Sequence, residues 1–238
     1  MNSQSIMEKA KSASRTLLNE IESKALLGEA GIPVIETRLA TSKQEAAAIS
    51  KKLGFPVALK IVSPEITHKS DVGGVKLGLR TSRQVEAAYE EIRSAVSQKY
   101  PHAVFEGVSV QRMAPPGTEV IIGMTKDAQF GPVVMFGLGG ILVELLKDVS
   151  FRIVPLEQED AREMIREIKG YPILEGFRGT EPVNVSILEE ILLKVSRFVD
   201  ANPEIKELDL NPVFAYREGA VAVDARVILE GGAVEQHH

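Results

Sequence analysis

The spacing of apolar residues along the chain predicts an alternation of helices and strands. Apolar side chains recur at helical spacing in five stretches, and short runs rich in branched residues, typical of strands, separate them. Helices are predicted over residues 12–30, 41–53, 81–96, 157–169 and 184–200, and strands over 34–40, 56–62, 75–80, 108–113, 119–124, 133–136, 142–144, 150–154, 207–216 and 220–225. Two helices open on TSKQ and TSRQ, which have the spacing of a capping box. The order of elements predicts an α+β fold whose first compact lobe ends near Gly107.

The stretch from Gly54 to Arg80 has the clearest chemical signal. Its first strand is apolar apart from Lys60, and a lysine inside a buried strand is costly unless an anion meets its ammonium group. A polar loop with Gly73 and Gly74 follows, and glycine lets a backbone approach an anion closely. The stretch fits a phosphate clamp, or equally a hairpin with a mobile loop and a lysine that reaches its rim. It is not a Walker A loop, because the chain has no GxxxxGK[ST] motif.

The last predicted hairpin carries a group of oxygen-bearing side chains. Asp209 and Asn211 are two residues apart on one strand and therefore share a face, and Asp224 arrives from the next strand. Such ligands suit Mg²⁺, which binds few protein groups and keeps water and substrate phosphates. The alternative is a set of solvated polar positions on an exposed face.

Composition excludes several classes of function. The chain has 238 residues, of which 44% are hydrophobic, enough for one large domain or two lobes with an ample core. A net charge of -5, the lack of a basic block and few aromatic residues argue against nucleic acid. The absence of cysteine excludes disulfides, thiolate metal sites and a cysteine nucleophile. No apolar run reaches membrane-spanning length and no signal peptide is recognisable, so we expect a cytoplasmic protein that does not enter a membrane.

Taken together, these motifs resemble the ATP-grasp superfamily, and most closely the ATP-grasp (β) subunit of ADP-forming acetyl-CoA synthetases, which are relatives of succinyl-CoA synthetase. The resemblance runs from about residue 14 to 230. Its most specific pieces are GIPV at 31–34, PVALKIVSPEITHKSDVGGVKLGL at 56–79, GLGGILVELLKDVSFR at 137–152 and ELDLNPV at 207–213. It implies an ATP-grasp fold of two α/β lobes with the nucleotide between them. The N-terminal helix and small lobe would span 14–107, and the large lobe with the magnesium hairpin would span 108–230.

The resemblance also implies a role for each candidate site residue. Lys60 matches a lysine that contacts nucleotide phosphates, and Glu119 matches a nucleotide-contacting carboxylate. Gln111 stands where the succinyl-CoA relatives have glutamate, so the charge of that contact differs. The other implied residues are the adenine-holding hinge from Gln111 to Ala114, which includes Met113, the phosphate-contacting loop residues Thr67, Lys69, Gly73 and Gly74, and the Mg²⁺ ligands Asn211 and Asp224.

By the same resemblance, His68 carries phosphate on a moving loop. A neutral imidazole is nucleophilic at nitrogen and forms a labile phosphoramidate. Lys69 would neutralise the phosphate, Asp71 would orient the ring, and the two glycines would make the loop mobile. The alternative is a polar loop histidine without chemistry. Three further residues of a matching motif would lie near the phosphates or support the second lobe: Glu144, Asp148 and Arg152.

The implied function is that of the ATP/ADP-binding subunit of an ADP-forming acyl-CoA synthetase, which transfers phosphate between a phosphohistidine and Mg-nucleotide. The chain has no GxGxxG loop for CoA, so we expect a CoA-binding α subunit in an α2β2 heterotetramer. Two other classes remain open. One is a self-contained ATP-grasp ligase that joins a carboxylate to an amine, and the other is a nucleotide-binding regulatory subunit without turnover.

Overall fold

The computed structural model describes residues 3–66, 69–140, 147–177, 179 and 181–231. The helices among them are α1 (Ser3–Ser12), α2 (Glu20–Glu29), α3 (Lys43–Leu53), α4 (Ser82–Lys99), α5 (Gln158–Glu167), α6 (Tyr171–Leu174) and α7 (Val185–Ala201). The strands are β1 (Thr37–Ala40), β2 (Val57–Val62), β3 (Val75–Leu79), β4 (Gly107–Arg112), β5 (Thr118–Asp127), β6 (Gly131–Leu138), β7 (Val149–Ile153), β8 (Ile205–Tyr216), β9 (Gly219–Ala222) and β10 (Ala225–Leu229). The strand predicted over 142–144 lies outside the described residues.

The chain divides into two compact units. The smaller comprises Asn19–Ile21 and Ile35–Pro115, and the larger comprises Met1–Leu18, Glu22–Val34 and Pro116–His238. This division differs from the predicted boundary between residues 107 and 108. The reason is that β4 pairs with β1 and β2 and so belongs to the sheet of the smaller unit.

The smaller unit is a four-stranded antiparallel sheet in the order β1-β4-β2-β3, with α3 and α4 on one face. Strands alternate their side chains, so β2 and β4 each present one row to these helices. The row that faces the helices is apolar and forms the core together with helix residues: Val57, Leu59, Ile61, Val85, Ile92, Val108 and Val110. The opposite row brings Lys60 beside Ser109 and Ala58 beside Gln111.

Both predicted helix starts are capped, but the return bond of each expected capping box goes to the residue before the cap rather than to the cap itself. Ser42 Oγ accepts a hydrogen bond from Glu45 N, and the Glu45 carboxylate accepts one in return from Thr41 N. Thr81 Oγ1 likewise accepts from Gln84 N, and Gln84 Oε1 accepts from the amide of the residue before Thr81. These side chains satisfy backbone donors that a helix N-terminus otherwise leaves unpaired.

The larger unit is a six-stranded sheet in the order β10-β8-β5-β6-β7, with β9 paired to β8. Its core lies on the face that α5 and α7 cover. The core members from the sheet and these helices include Val120, Ile122, Val134, Phe136, Met164, Leu188, Leu192, Leu208 and Leu210. The hairpin predicted at the end of the chain is divided, because the strand predicted over 220–225 is two strands, β9 and β10.

The helix predicted from residue 12 begins only at Glu20. Residues 16–18 are extended along β10 instead, where Leu18 N donates to Val227 O (3.1 Å) and Leu229 N donates to Thr16 O (2.8 Å). Leu18 is buried in the core of the larger unit. The apolar residues at 17 and 18 are therefore explained by packing along a strand and not by one face of a helix. Within the described part of the chain, no helix is long and apolar enough to span a bilayer.

Candidate functional site

Lys60 lies in the middle of β2, a strand in which every residue is buried. Its side chain is only 9% exposed, and its Nζ donates a hydrogen bond to Oε1 of Glu20 at 2.7 Å. Glu20 is the first residue of α2, and its side chain is 2% exposed. The anion that a buried lysine requires is thus supplied by the protein itself.

The same carboxylate binds a second lysine. Lys69 Nζ donates to Glu20 Oε2 at 2.7 Å, and the Lys69 side chain is 24% exposed. All three residues belong to the smaller unit. The sequence predicted both lysines but missed Glu20, which is 40 residues from Lys60 and has no local motif to mark it. Thr67 and His68 lie outside the described residues.

The described part of the loop folds back on β2. Gly74 N donates to Lys69 O (2.8 Å), and Ile61 N donates to Gly74 O (2.7 Å). Ile66 and Val72 are buried in the core of the smaller unit and anchor the segment on both sides of Lys69. The loop is therefore attached to the core at both ends.

Gly73 and Gly74 are required for different reasons. Gly73 has φ +71°, in the left-handed region where a side chain is disfavoured. A Cβ on Gly74 would lie 2.5 Å from Ile61 Cγ2 and 2.8 Å from Lys69 O. Gly74 thus allows the backbone to pack tightly against β2, in addition to any mobility that glycine confers.

The predicted adenine hinge, residues 111–114, begins in the last two residues of β4. Gln111 is 2% exposed, and its Oε1 accepts a hydrogen bond from Thr37 Oγ1 at 3.4 Å. Met113 N donates to Pro56 O (2.9 Å), and its Sδ accepts from Gly78 N (3.0 Å). Ala114 is half-buried. The Met113 N–H is thus engaged within the protein.

Glu119 is exposed near the start of β5, in the larger unit. Gly139 N donates to Glu119 O at 2.7 Å, and a Cβ on Gly140 would lie 3.0 Å from Glu119 Oε2. Because Gly139 and Gly140 have no side chains, the Glu119 side chain can lie against them.

The three oxygen-bearing residues predicted for magnesium lie where β8 changes partner. Up to Leu210 this strand pairs with β10, and from Val213 it pairs with β9. Val223 N donates to Pro212 O (2.9 Å) across the gap, so Asn211 and Asp224 occupy neighbouring positions at the junction. Asp224 Oδ1 also accepts from the amide of the residue that follows it.

Asp209 lies two residues before Asn211, opposite Arg226 of β10. Burial raises the pKa of the Asp209 carboxyl, the nearby Arg226 guanidinium lowers this pKa, and the nearby Asp224 carboxylate raises it. Two close carboxylates with an amide oxygen are a donor set that Mg²⁺ accepts. Among the described residues, no three His, Cys, Asp or Glu side chains form a metal site. An ion held by one or two of these oxygens would complete its shell with phosphate and water.

Asp148 and Arg152 support the larger unit. Asp148 Oδ1 accepts from Lys169 N (2.8 Å) and Oδ2 accepts from Gly170 N (2.7 Å), which holds the turn after α5. Arg152 pairs with Glu167 of α5 at 2.8 Å. Of the two roles expected for this motif, the geometry favours structural support. Glu144 lies outside the described residues.

The family profile of the ATP-grasp domain matches residues 9–229. The chain belongs to the ATP-grasp family. Its two antiparallel sheets with helices agree with that assignment, so the predicted ATP-grasp fold is confirmed. Among curated proteins, this ATP-grasp chain is 53% identical over 224 residues to the beta subunit of ADP-forming acetate–CoA ligase I of Pyrococcus furiosus. That alignment covers 94% of this chain and 96% of the relative.

Solved structures give the same grouping. An acetyl-coenzyme A synthetase 1 of Ca. Korarchaeum cryptofilum, in complex with coenzyme A, Ca-AMPCP and HgCl⁺, matches with a TM-score of 0.93 and 52% identity. The match covers 96% of this chain and 100% of that chain. Another structure of that enzyme contains coenzyme A and Mg-AMPPCP, with its phosphohistidine segment pointing towards the nucleotide-binding site. It matches with a TM-score of 0.86 and 49% identity, over 96% and 100% of the two chains. Within the ATP-grasp family, the chain therefore groups with beta subunits of ADP-forming acetate–CoA ligases.

Proposed function

We propose that this chain is the nucleotide-binding subunit of an ADP-forming acyl-CoA synthetase, and that it transfers phosphate between His68 and a Mg-bound nucleotide. The observation that carries the proposal is the pair of lysines on one buried carboxylate. Lys60 is a buried cation in the strand that begins the motif, and Lys69 is the residue that directly follows His68. The residue next to the proposed phosphate carrier thus shares a carboxylate with the lysine proposed to bind phosphate.

Lys60 would bind the transferring phosphoryl group. A phosphoryl group in transfer spreads negative charge over its oxygens, and fixed positive charge stabilises it more strongly in a dry site than in water. An ammonium group has three donors, and Glu20 Oε1 accepts from one of them. In the same unit, the carbonyl of Met113 and the side chain of Gln111 would contact adenine or ribose.

Asn211 and Asp224 would hold Mg²⁺, with Asp209 beside them and Glu119 as a further nucleotide contact. When bound, Mg²⁺ supplies positive charge next to the phosphates. Burial raises the pKa of the Asp209 carboxyl, and a cation bound nearby would lower this pKa and favour the ionised form.

In the synthesis of ATP, the phosphohistidine donates its phosphoryl group to ADP. A bond forms between phosphorus and the terminal oxygen of ADP, the bond between phosphorus and the imidazole nitrogen of His68 breaks, and the ring keeps the electron pair. The reverse reaction phosphorylates His68 from ATP. The relative from Ca. Korarchaeum cryptofilum supports this role, since its structure has a phosphohistidine segment directed at the nucleotide site.

The chemistry of CoA would belong to a second subunit. The Pyrococcus relative is itself a beta subunit of nearly the same length as this chain. We infer a CoA-binding α subunit and an α2β2 assembly. The cytoplasmic location expected from the sequence stays a prediction.

The test is incubation of the chain with ATP labelled at the γ-phosphate. We expect one label per chain that is labile in acid and stable in base, as a phosphoramidate is, and its loss in His68→Gln. A chain that binds nucleotide without becoming labelled would be a regulatory subunit. Release of ADP only with an amine acceptor, unaffected by His68→Gln, would indicate a carboxylate–amine ligase. Either result would overturn the proposal.

A further inference from the structure

Glu20 holds two cations with its two oxygens at the same time. Its Oε1 accepts from Lys60 and its Oε2 from Lys69, both at 2.7 Å, and its side chain is 2% exposed. A carboxylate so deeply buried is costly unless it is fully compensated by opposite charge and hydrogen bonds. The sequence motifs did not single out this residue, and the proposed function assigns it no part.

Pairing with Lys60 alone would occupy only one oxygen of the Glu20 carboxylate. The second oxygen holds Lys69, whose long side chain is 24% exposed and would otherwise rotate freely. Consecutive Cα atoms are about 3.8 Å apart, so fixing Lys69 restricts the position of the residue before it. That residue is His68.

We propose that Glu20 is a positioning residue, which docks the Lys69 segment beside Lys60 so that phosphoryl transfer can take place at the nucleotide. This inference rests on the proposed function, in which His68 is phosphorylated there. Glu20 touches neither substrate nor the reacting atoms and acts through Lys69.

The charge of the cluster leads to an unusual expectation. Two ammonium groups and one carboxylate have a net charge of one, and replacing Glu20 by the neutral glutamine raises that net charge to two. The site would attract the nucleotide phosphates at least as strongly as before, whereas the Lys69 side chain would lose the carboxylate that holds it. A residue that only stabilised the fold would instead weaken binding and phosphorylation together.

The experiment compares the full chain with Glu20→Gln in two measurements: nucleotide affinity, and the single-turnover rate of labelling by γ-labelled ATP. We expect unchanged or tighter nucleotide binding and a labelling rate lower by about a hundredfold, the scale expected for misplacement of a reacting group by about 1 Å. Glu22→Gln is the matched control. Glu22 lies on the same helix and pairs with Arg15 at 2.8 Å, so this variant should label at the wild-type rate.

Lys69 variants test whether Glu20 acts through that side chain. Lys69→Met should slow labelling as Glu20→Gln does, and the double variant should be little worse than either single one, because both remove the same interaction. Lys69→Arg should restore most of the rate, since guanidinium also pairs with a carboxylate. Because the Lys69 side chain is partly exposed, these variants should fold even if Glu20→Gln does not.

A separate measurement does not depend on phosphorylation. Trypsin should cleave after Lys69 faster in Glu20→Gln than in the wild type or in Glu22→Gln, because the lysine is released. Wild-type labelling or wild-type cleavage in a folded Glu20→Gln protein would overturn the inference, as would fully additive effects in the double variant. If the wild-type chain is never labelled, the proposed function itself fails, and trypsin protection that depends on Glu20 would then show docking without catalysis.

Discussion

At the scale of single residues, two adjacent glycines shape the loop that precedes β3. Gly73 adopts a left-handed backbone conformation, and an added Cβ would make only an ordinary van der Waals contact, with Ala95 Cβ at 3.8 Å. Gly74 is limited by contact instead, because an added Cβ would collide with Ile61 and with the carbonyl of Lys69. The two positions should therefore respond differently to substitution.

We predict that Gly74→Ala lowers the free energy of unfolding by about 2 kcal/mol, because the loop backbone must move away from β2. Gly73→Asn should cost no more than about 0.5 kcal/mol, since asparagine tolerates the left-handed region. Denaturant unfolding of both variants measures the difference. Equal costs at the two positions would show that the close approach of Gly74 does not constrain the loop.

The candidate site could be predicted from the sequence only in part. Lys60 stands out because it interrupts an apolar run, and that pattern correctly indicates a need for an anion. The identity of the anion depends on Glu20, which reaches the strand only through the tertiary fold. Asn211 and Asp224 stay predicted Mg²⁺ ligands, and the structure places them at neighbouring positions where β8 changes partner. The local sequence pattern thus shows that Lys60 needs an anionic partner, and the tertiary fold determines which residue provides it.

At the scale of elements, α3 and α4 begin with the same arrangement of side chains but different charges. In α3 the third helical residue is Glu45, and in α4 it is Gln84. Each side chain bonds the backbone amide of the residue before the cap. Hydrogen bonds from the backbone amide and then the hydroxyl of Thr41 lower the pKa of the Glu45 carboxyl below its ordinary value. The two helix starts therefore differ mainly in whether the third helical residue can titrate, so each serves as a control for the other.

We predict that Glu45→Ala lowers the free energy of unfolding by about 0.5 kcal/mol at pH 7. Because the pKa of Glu45 is lower in the folded protein than in the unfolded chain, its contribution is complete above the ordinary pKa and is lost as pH falls through the folded value. The cost of Glu45→Ala should therefore shrink below about pH 4.5. Gln84→Ala should have a similar cost at every pH, since its amide does not titrate. Unfolding curves of both variants at several pH values test this, and a pH-independent cost for Glu45→Ala would contradict it.

The helices with complete local signals were predicted well, and the elements defined by distant contacts were not. The predicted helix over 81–96 corresponds to α4, because Thr81 and Gln84 determine its start within a few residues. The helix predicted from residue 12 is wrong in its first part. Leu17 and Leu18 satisfy helical spacing, yet they lie along β10, which is more than 200 residues later in the chain. Apolar periodicity indicates burial, but it does not identify the partner.

At the scale of the whole molecule, the chain aligns with 96% of the beta subunit of ADP-forming acetate–CoA ligase I of Pyrococcus furiosus. We predict that the purified chain, given acetate, CoA and ATP, becomes phosphorylated but yields no acetyl-CoA. Addition of a CoA-binding α subunit should restore thioester formation, which a thiol-sensitive assay measures. Acetyl-CoA synthesis by the chain alone would show that the partner is not required.

The extended segment at residues 16–18 has a consequence for how the protein behaves in solution. Its backbone satisfies amide and carbonyl groups of β10, an outer strand of the larger sheet. Exposed strand margins invite pairing with other molecules. A chain that begins at residue 19 should therefore form multimers as its concentration rises, which light scattering would detect. In the untruncated chain, residues 16–18 cover the edge of β10 and so oppose edge-to-edge association.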